Sequence, residues 1–218
     1  MIIAIDGPSG SGKSTLGRML ARELNLLYID TGSMYRAVAL ATLEARVDPH
    51  DSEAVVALAT HSDIDLEGDP DSLKVLLNGR DVTERIRSED VTTMSSVVST
   101  IPGVRRAMVA RQRELAQRGA VLNGRDIGTV VFPEADVKFF LTAAPEERAE
   151  RRFKEDRLTN HGVSFAETMA DMVERDRRDS TRADSPLKAA DDAIVIDSSG
   201  LSIEDVFLVM MKYVHRHH

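Results

Sequence analysis

The chain opens on a short uninterrupted apolar run, Ile2-Ile3-Ala4-Ile5, that stops at Asp6. A run this short, without polar alternation, predicts a strand buried on both faces. After a glycine-rich turn the period changes: from Lys13 to Leu24, the residues Leu16, Met19, Leu20 and Leu24 share one helical face. Leu26 to Asp30 reads as a second buried strand, and Ser33 to Ala45 as a second helix through Met34, Val38, Ala41 and Ala45. Strand, helix, strand, helix is the pattern of a parallel sheet covered on both faces. The alternation returns later, with helices predicted over 104–118, 145–157, 165–179 and 203–214 and strands over 120–122, 137–141 and 193–196. The predicted fold class is α/β, with a parallel sheet of about five strands flanked by helices.

One stretch departs from this rhythm. Between His61 and Arg87, Ile64 and Leu66 alternate with polar neighbours, as do Leu73, Val75 and Leu77 before an Asn78-Gly79 pair. Two-residue periodicity ending in Asn-Gly predicts a small antiparallel meander inserted in the α/β domain. Lys154 to Val163 is polar, contains Gly162 and reads as a loop between two helices. The histidine-rich end, His215 to His218, reads as a frayed tail rather than a metal site.

Composition narrows the possibilities. No apolar run approaches the roughly 20 residues of a membrane span, and the first residues lack the basic leader of a signal peptide, so a cytoplasmic protein without membrane contact is expected. Cysteine is absent, which excludes disulfides and thiolate chemistry. The formal net charge of −8 disfavours a general nucleic-acid surface. Of the 28 basic residues only six are lysine, and 14 of the arginines lie between Arg105 and Arg182. Most of these suit a salt-bridged helical surface, but arginine's planar fork also matches phosphate oxygens two at a time.

Gly7-Pro8-Ser9-Gly10-Ser11-Gly12-Lys13-Ser14 fits G-x-x-x-x-G-K-[ST], and it lies between a buried strand and a helix, as that motif requires. The glycines let the backbone curl round a phosphate with its N–H groups inward, and the helix start adds positive partial charge. Lys13, read as exposed in this cradle, reaches the β- and γ-phosphates of a nucleoside triphosphate, and the Ser14 hydroxyl is a Mg²⁺ ligand. The predicted ATP-binding stretch is therefore Gly7, Pro8, Ser9, Gly10, Ser11, Gly12, Lys13, Ser14 and Thr15. The motif does not name the acceptor.

Three further segments carry a resemblance: Asp30-Thr31-Gly32-Ser33-Met34-Tyr35-Arg36, Asn123-Gly124-Arg125-Asp126-Ile127-Gly128-Thr129-Val130-Val131-Phe132-Pro133, and Arg175-Asp176-Arg177-Arg178-Asp179-Ser180-Thr181-Arg182. With the phosphate cradle and the meander they make the whole chain resemble the bacterial cytidylate kinases. That resemblance implies a P-loop kinase fold: a core, a monophosphate-binding region inserted at about 31–105, and a short lid at about 153–164. It implies transfer of a phosphoryl group from ATP to CMP or dCMP with Mg²⁺, in a protein expected to be a monomer without nucleic-acid partners.

The resemblance also distributes roles. It makes Arg36 a clamp on the acceptor phosphate with Thr31 beside it, and Ser96, Arg105 and Asp126 the readers of cytosine. Arginine can donate to O2 and N3 of cytosine, whereas uracil presents an N3–H donor there, and a carboxylate can accept from the 4-amino group. Arg125 and Arg182 are implied phosphate contacts, Arg175 and Asp179 ribose contacts, and Arg152 and Arg157 lid arginines that close over ATP. Lys13, Arg125, Arg175 and Arg182 are the expected catalytic charges. Where this family usually has an acidic residue before Gly-Arg-Asp, the chain has Asn123, which offers a metal-bound water an acceptor without negative charge. Two other readings of the cradle stay open at this point: a kinase for a different small acceptor, and a nucleotide-dependent switch.

Overall fold

The computed structural model describes residues 1–159, 164–182 and 184–216, the side chains of 155–159 excepted. In chain order the elements are β1 (Ile2–Asp6), α1 (Lys13–Leu24), β2 (Leu27–Asp30), α2 (Thr31–Glu44), α3 (Ser52–His61), β3 (Ile64–Glu67), β4 (Lys74–Leu77), β5 (Arg80–Asp81) and α4 (Glu89–Val98). Then follow α5 (Pro102–Leu115), β6 (Ala120–Gly124), β7 (Val137–Thr142), α6 (Pro145–Thr159), α7 (Phe165–Thr181), β8 (Ile194–Asp197) and α8 (Ile203–Val214). The principal sheet has five strands in the order β2-β6-β1-β7-β8. β1 runs parallel to β7 from Ile3 opposite Val137 to Asp6 opposite Phe140, and β7 runs parallel to β8.

The chain forms two compact units. The first comprises Met1–Leu20 and Asn123–His218. Its core is built on Ile3, Ile5, Phe139 and Leu141, all essentially inaccessible, with Val206, Met210 and Val214 of α8 also buried. Phe139 meets Tyr213 edge to face at 6.5 Å between ring centroids. Helix starts follow local chemistry. Ser164 and Glu167 form a reciprocal capping box at α7, and Ser202 accepts the Asp205 amide at the start of α8.

The second unit, Ala21–Leu122, is organised around α2, whose Met34, Ala37, Val38, Ala39 and Leu40 are wholly buried. The meander is present as β3-β4-β5, antiparallel, with Ile64 opposite Leu77. Ile64, Leu66, Val75 and Leu77 bury one face, and Asn78 and Gly79 take positive φ values of 51° and 75°, as the tight turn demands.

Three features differ from the sequence reading. Helices α3 and α4 are additional to the predicted elements: each has only 10 residues and buries two apolar side chains, Val55 and Ala59 in α3 and Val91 and Val98 in α4, too few to set a helical period in the sequence. α6 continues to Thr159, so where the predicted helix over 145–157 and the predicted loop from Lys154 overlap, the helix prevails and runs two residues further. Glu, Lys and Arg are good helix formers despite their charge, so the polarity of the stretch does not mark irregular structure. Residues 160–163 of the expected lid, and His217 and His218 of the tail, lie outside the described residues.

Candidate active site

The cradle follows β1 directly. A Cβ on Gly7 would lie 2.1 Å from the carbonyl oxygen of Leu141, so only glycine lets the loop leave the sheet here. Lys13 opens α1 but, contrary to expectation, is not exposed: its side chain folds back into the loop, 7% accessible. Its Nζ donates to the Pro8 carbonyl at 2.6 Å and to Ser11 Oγ at 3.4 Å. Burial and the nearby Arg125 and Arg175 cations hold the ammonium well below the ordinary lysine range, against the opposing charges of Asp6 and Asp176. Ser14 is exposed at the loop mouth, and its hydroxyl accepts from Asn123 Nδ2 at 2.9 Å.

Asn123 and Gly124 end β6, and the chain then makes a single wide helical turn over Ile127–Val131. Asp6, the last residue of β1, fastens this turn. Its two carboxylate oxygens accept the backbone N–H groups of Ile127 at 2.8 Å and Gly128 at 2.7 Å. Burial raises the Asp6 carboxyl to about 6, although both amide bonds favour its charged form. The neighbouring Asp126 carboxylate adds to the rise and Lys13 opposes it. Asp126 itself is 5% accessible.

Arg125 connects this segment to the cradle and to α7. It donates through Nη1 to the Gly7 carbonyl at 2.9 Å and through Nε to Asp179 Oδ2 at 2.7 Å. α7 ends at Thr181, one residue before Arg182, yet Arg182 still reaches Asp179 Oδ1 at 3.5 Å and the Ser185 carbonyl at 2.7 Å. Burial alone would raise the Asp179 carboxyl; Arg125, Arg175 and Arg182 reverse this and hold it below the ordinary aspartate value. Arg175 on α7 and Arg152 on α6 are half-buried. The side chain of Arg157 lies outside the described residues.

In the second unit, Thr31 begins α2 and is buried, and Arg36 one turn later bonds Asp30 Oδ2 at 3.3 Å. A Cβ on Gly32 would lie 3.2 Å from Asp30 Oδ1, so the glycine leaves room for this pair. Arg105 on α5 is 3% accessible; its guanidinium lies 5.7 Å from the Tyr35 ring centroid and donates to the Ser99 carbonyl at 3.3 Å. Ser96 sits half-buried in the last turn of α4, not at a helix start.

Sequence reasoning passed over Asp6, which fastens the turn that follows Asp126, and Asp30, Tyr35, Arg148 and Asp176, each of which contacts a predicted site residue or the cradle. Asp6 and Asp30 carried a usable signal, since each ends a buried strand immediately before a predicted site segment. Asp176 lay within the Arg175–Arg182 segment without a role assigned to it, and Arg148 carried no signal.

Ser14 and Asn123 together offer a hydroxyl and an amide, oxygen donors suited to a hard cation that takes its other ligands from phosphates and water. Among the described residues no cluster of three or more His, Asp or Glu side chains is placed to hold a metal. This donor set fits Mg²⁺ arriving with a nucleotide, not a metal caged by protein alone.

The cytidylate kinase family model matches residues 3–216. The chain belongs to that family. It is 50% identical over 217 residues to a cytidylate kinase of Solibacter usitatus, an alignment covering 98% of this chain and 92% of its relative. It is likewise 50% identical to a cytidylate kinase of Desulforamulus reducens, with 98% and 96% covered. Among solved structures, a protein from Eubacterium ventriosum superposes with a TM-score of 0.52 at 13% identity, covering 99% and 98% of the two chains, which shows a common fold. As a family member the chain is a phosphotransferase that uses ATP to phosphorylate CMP and dCMP.

Proposed function

We propose that this cytidylate kinase performs in-line transfer with the residue assignment expected from its sequence, and with Mg²⁺ bound alongside the nucleotide. The observation that supports the reading is the convergence of Lys13, Arg125 and Asp179 on one strand-end loop whose backbone curls as a phosphate cradle. In this assignment Gly7 to Thr15 bind the donor phosphates, and Ser14 with Asn123 faces the cation. Thr31, Arg36, Ser96, Arg105 and Asp126 bind CMP, and Arg152 and Arg157 cover ATP. When bound, the metal would neutralise charge on the donor phosphates.

An oxygen of the CMP phosphate attacks the γ-phosphorus, the bond to the bridging oxygen breaks, and ADP leaves with that electron pair. The attacking phosphate is already anionic at neutral pH, so no side chain need remove a proton. Catalysis rests on position and charge. Lys13, Arg125, Arg175 and Arg182 neutralise the transferring group, and Asp179 orients two of those arginines. Burial and the neighbouring arginine cations hold Lys13 below its ordinary range, and phosphate anions beside it would shift it in the opposite direction. A cytoplasmic, monomeric enzyme goes with this reading, because ATP and free nucleoside monophosphates are cytoplasmic solutes.

The deciding experiment is a coupled ADP-release assay across CMP, dCMP, UMP, AMP and shikimate. CMP and dCMP should be turned over far faster than the others; preference for a different acceptor would overturn the assignment of the base-reading residues.

A further inference from the structure

Ser9, at the outer turn of the cradle, is gripped through both of its backbone polar groups. Arg148 Nη1 donates to the Ser9 carbonyl at 2.9 Å, and the Ser9 N–H donates to Asp176 Oδ1 at 3.3 Å. The same Arg148 nitrogen donates to Asp176 Oδ2 at 2.5 Å, and Arg148 Nε donates to the Ala143 carbonyl at 3.1 Å. Both side chains are largely buried, 9% and 18% accessible. The next residue, Gly10, has φ +72°, and a Cβ there would lie 2.5 Å from the Arg148 carbonyl oxygen. The loop therefore rests on the first turn of α6, and α7 reaches across to complete the grip.

We propose that Arg148 and Asp176 act together as positioning residues for the donor nucleotide, fixing the Ser9–Gly10 stretch in the form that receives its phosphates. This rests on the reading of residues 7–15 as the donor-phosphate site. A loop with three glycines in six residues loses much conformational freedom when it closes on a ligand, and holding it beforehand removes that cost from binding. The charges favour this role over direct contact. A bare carboxylate beside a phosphate site would repel the ligand, but Arg148 neutralises Asp176 at 2.5 Å. The Arg148 guanidinium, in turn, has donors committed to Ser9, Ala143 and Asp176. Phe153 of α6 packs edge to face on Phe165 of α7 at 5.8 Å, so the two helices that supply the grip are also held to each other by an apolar contact.

The test is ADP affinity by titration calorimetry, together with Tm and the steady-state constants, for wild type, Asp176→Asn, Arg148→Met and the double variant Arg148→Met/Asp176→Leu. Wild type must bind ADP; if it does not, the reading of the cradle fails, independently of the grip. Each single variant should bind ADP about tenfold more weakly, the size of one charge-assisted hydrogen bond, and raise KM for ATP more than KM for CMP. The double variant leaves no charge buried alone, so its Tm should return towards wild type. Its ADP affinity should stay as weak as that of the singles, because both side chains hold the same residue, Ser9, and losing either one already frees it. A purely structural pair would recover affinity along with Tm. Wild-type ADP affinity in the double variant, or in both singles, overturns the proposal.

Discussion

Arg125 and Asp179 lie 54 residues apart in sequence and are joined Nε to Oδ2 at 2.7 Å, each less than one-fifth exposed. Removing the guanidinium in Arg125→Met leaves a buried carboxylate with its principal cation gone, a loss of about 3–5 kcal/mol. Asp179 is held below its unfolded value, so its stabilising contribution is present above the ordinary aspartate range and is lost as pH falls through the lowered folded value. In Arg125→Met the acid limb of the Tm profile should therefore move to higher pH. An unchanged acid limb would mean that Arg175 and Arg182 suffice to hold the charge.

Asp6 has the opposite sign. Its folded value of about 6 lies above the unfolded 3.8, so its contribution is complete below the unfolded value and is lost as pH rises through about 6. The difference of about two pKa units corresponds to roughly 3 kcal/mol. Asp6→Asn abolishes this titration but turns an amide N–H toward a backbone N–H, losing one of the two bonds to Ile127 and Gly128 at about 1–3 kcal/mol. Urea unfolding should show wild type ahead of Asp6→Asn by more at pH 5 than at pH 7.5. A gap independent of pH would contradict the raised Asp6 carboxyl.

Asn123 donates its amide N–H to Ser14 Oγ. In Asn123→Asp the direction of that bond would reverse: the hydroxyl would donate to the carboxylate, leaving its lone pairs available to a cation, and a negative charge would be added nearby. The Mg²⁺ concentration for half-maximal activity should fall in Asn123→Asp and rise in Asn123→Ala. Identical Mg²⁺ titrations for all three proteins would remove position 123 from the metal's surroundings.

In the proposed assignment, base choice falls to Arg105 and Asp126. Arg105→Met should reduce kcat/KM for CMP by about 10²-fold and narrow the gap to UMP, since a missing hydrogen-bond donor costs more for the base that used it. The Arg105 stem and its stacking on Tyr35 are partly preserved by methionine, so the fold should survive. The ratio of kcat/KM for CMP and UMP is the measurement; the same ratio in Arg105→Met and Asp126→Asn as in wild type would place neither residue at the base.

Lys13→Ala should lose phosphoryl transfer by 10²-fold or more while keeping or slightly raising Tm. A buried ammonium held below its ordinary range is a cost to the folded state at neutral pH, and alanine removes it. Circular dichroism melting alongside the assay checks both halves; a large fall in Tm would show that the bonds to Pro8 and Ser11 hold the loop together.

The sequence by itself determined what depends on neighbours along the chain. The apolar run at Ile2–Ile5, the cradle from Gly7 to Ser14 and the Asn78-Gly79 turn were legible because strand burial, loop chirality and turn type are set within a few residues. The meander and the five-strand parallel sheet followed from the same local periods. α3 and α4 were hidden by their shortness, with two buried apolar side chains apiece, and charge disguised the end of α6 as a loop. Tertiary structure alone decided the partners of the charged groups. Asp6 meets residues 121 and 122 positions away, and Arg148 meets Ser9 across 139, because a parallel sheet brings distant strand ends to one edge. Nothing in the local pattern distinguishes Arg148 from the other arginines, nor shows that Lys13 is buried. Those outcomes depend on which backbone oxygens and carboxylates the fold carries to within 3 Å, and the energy of a charge inside a protein is set by those few neighbours.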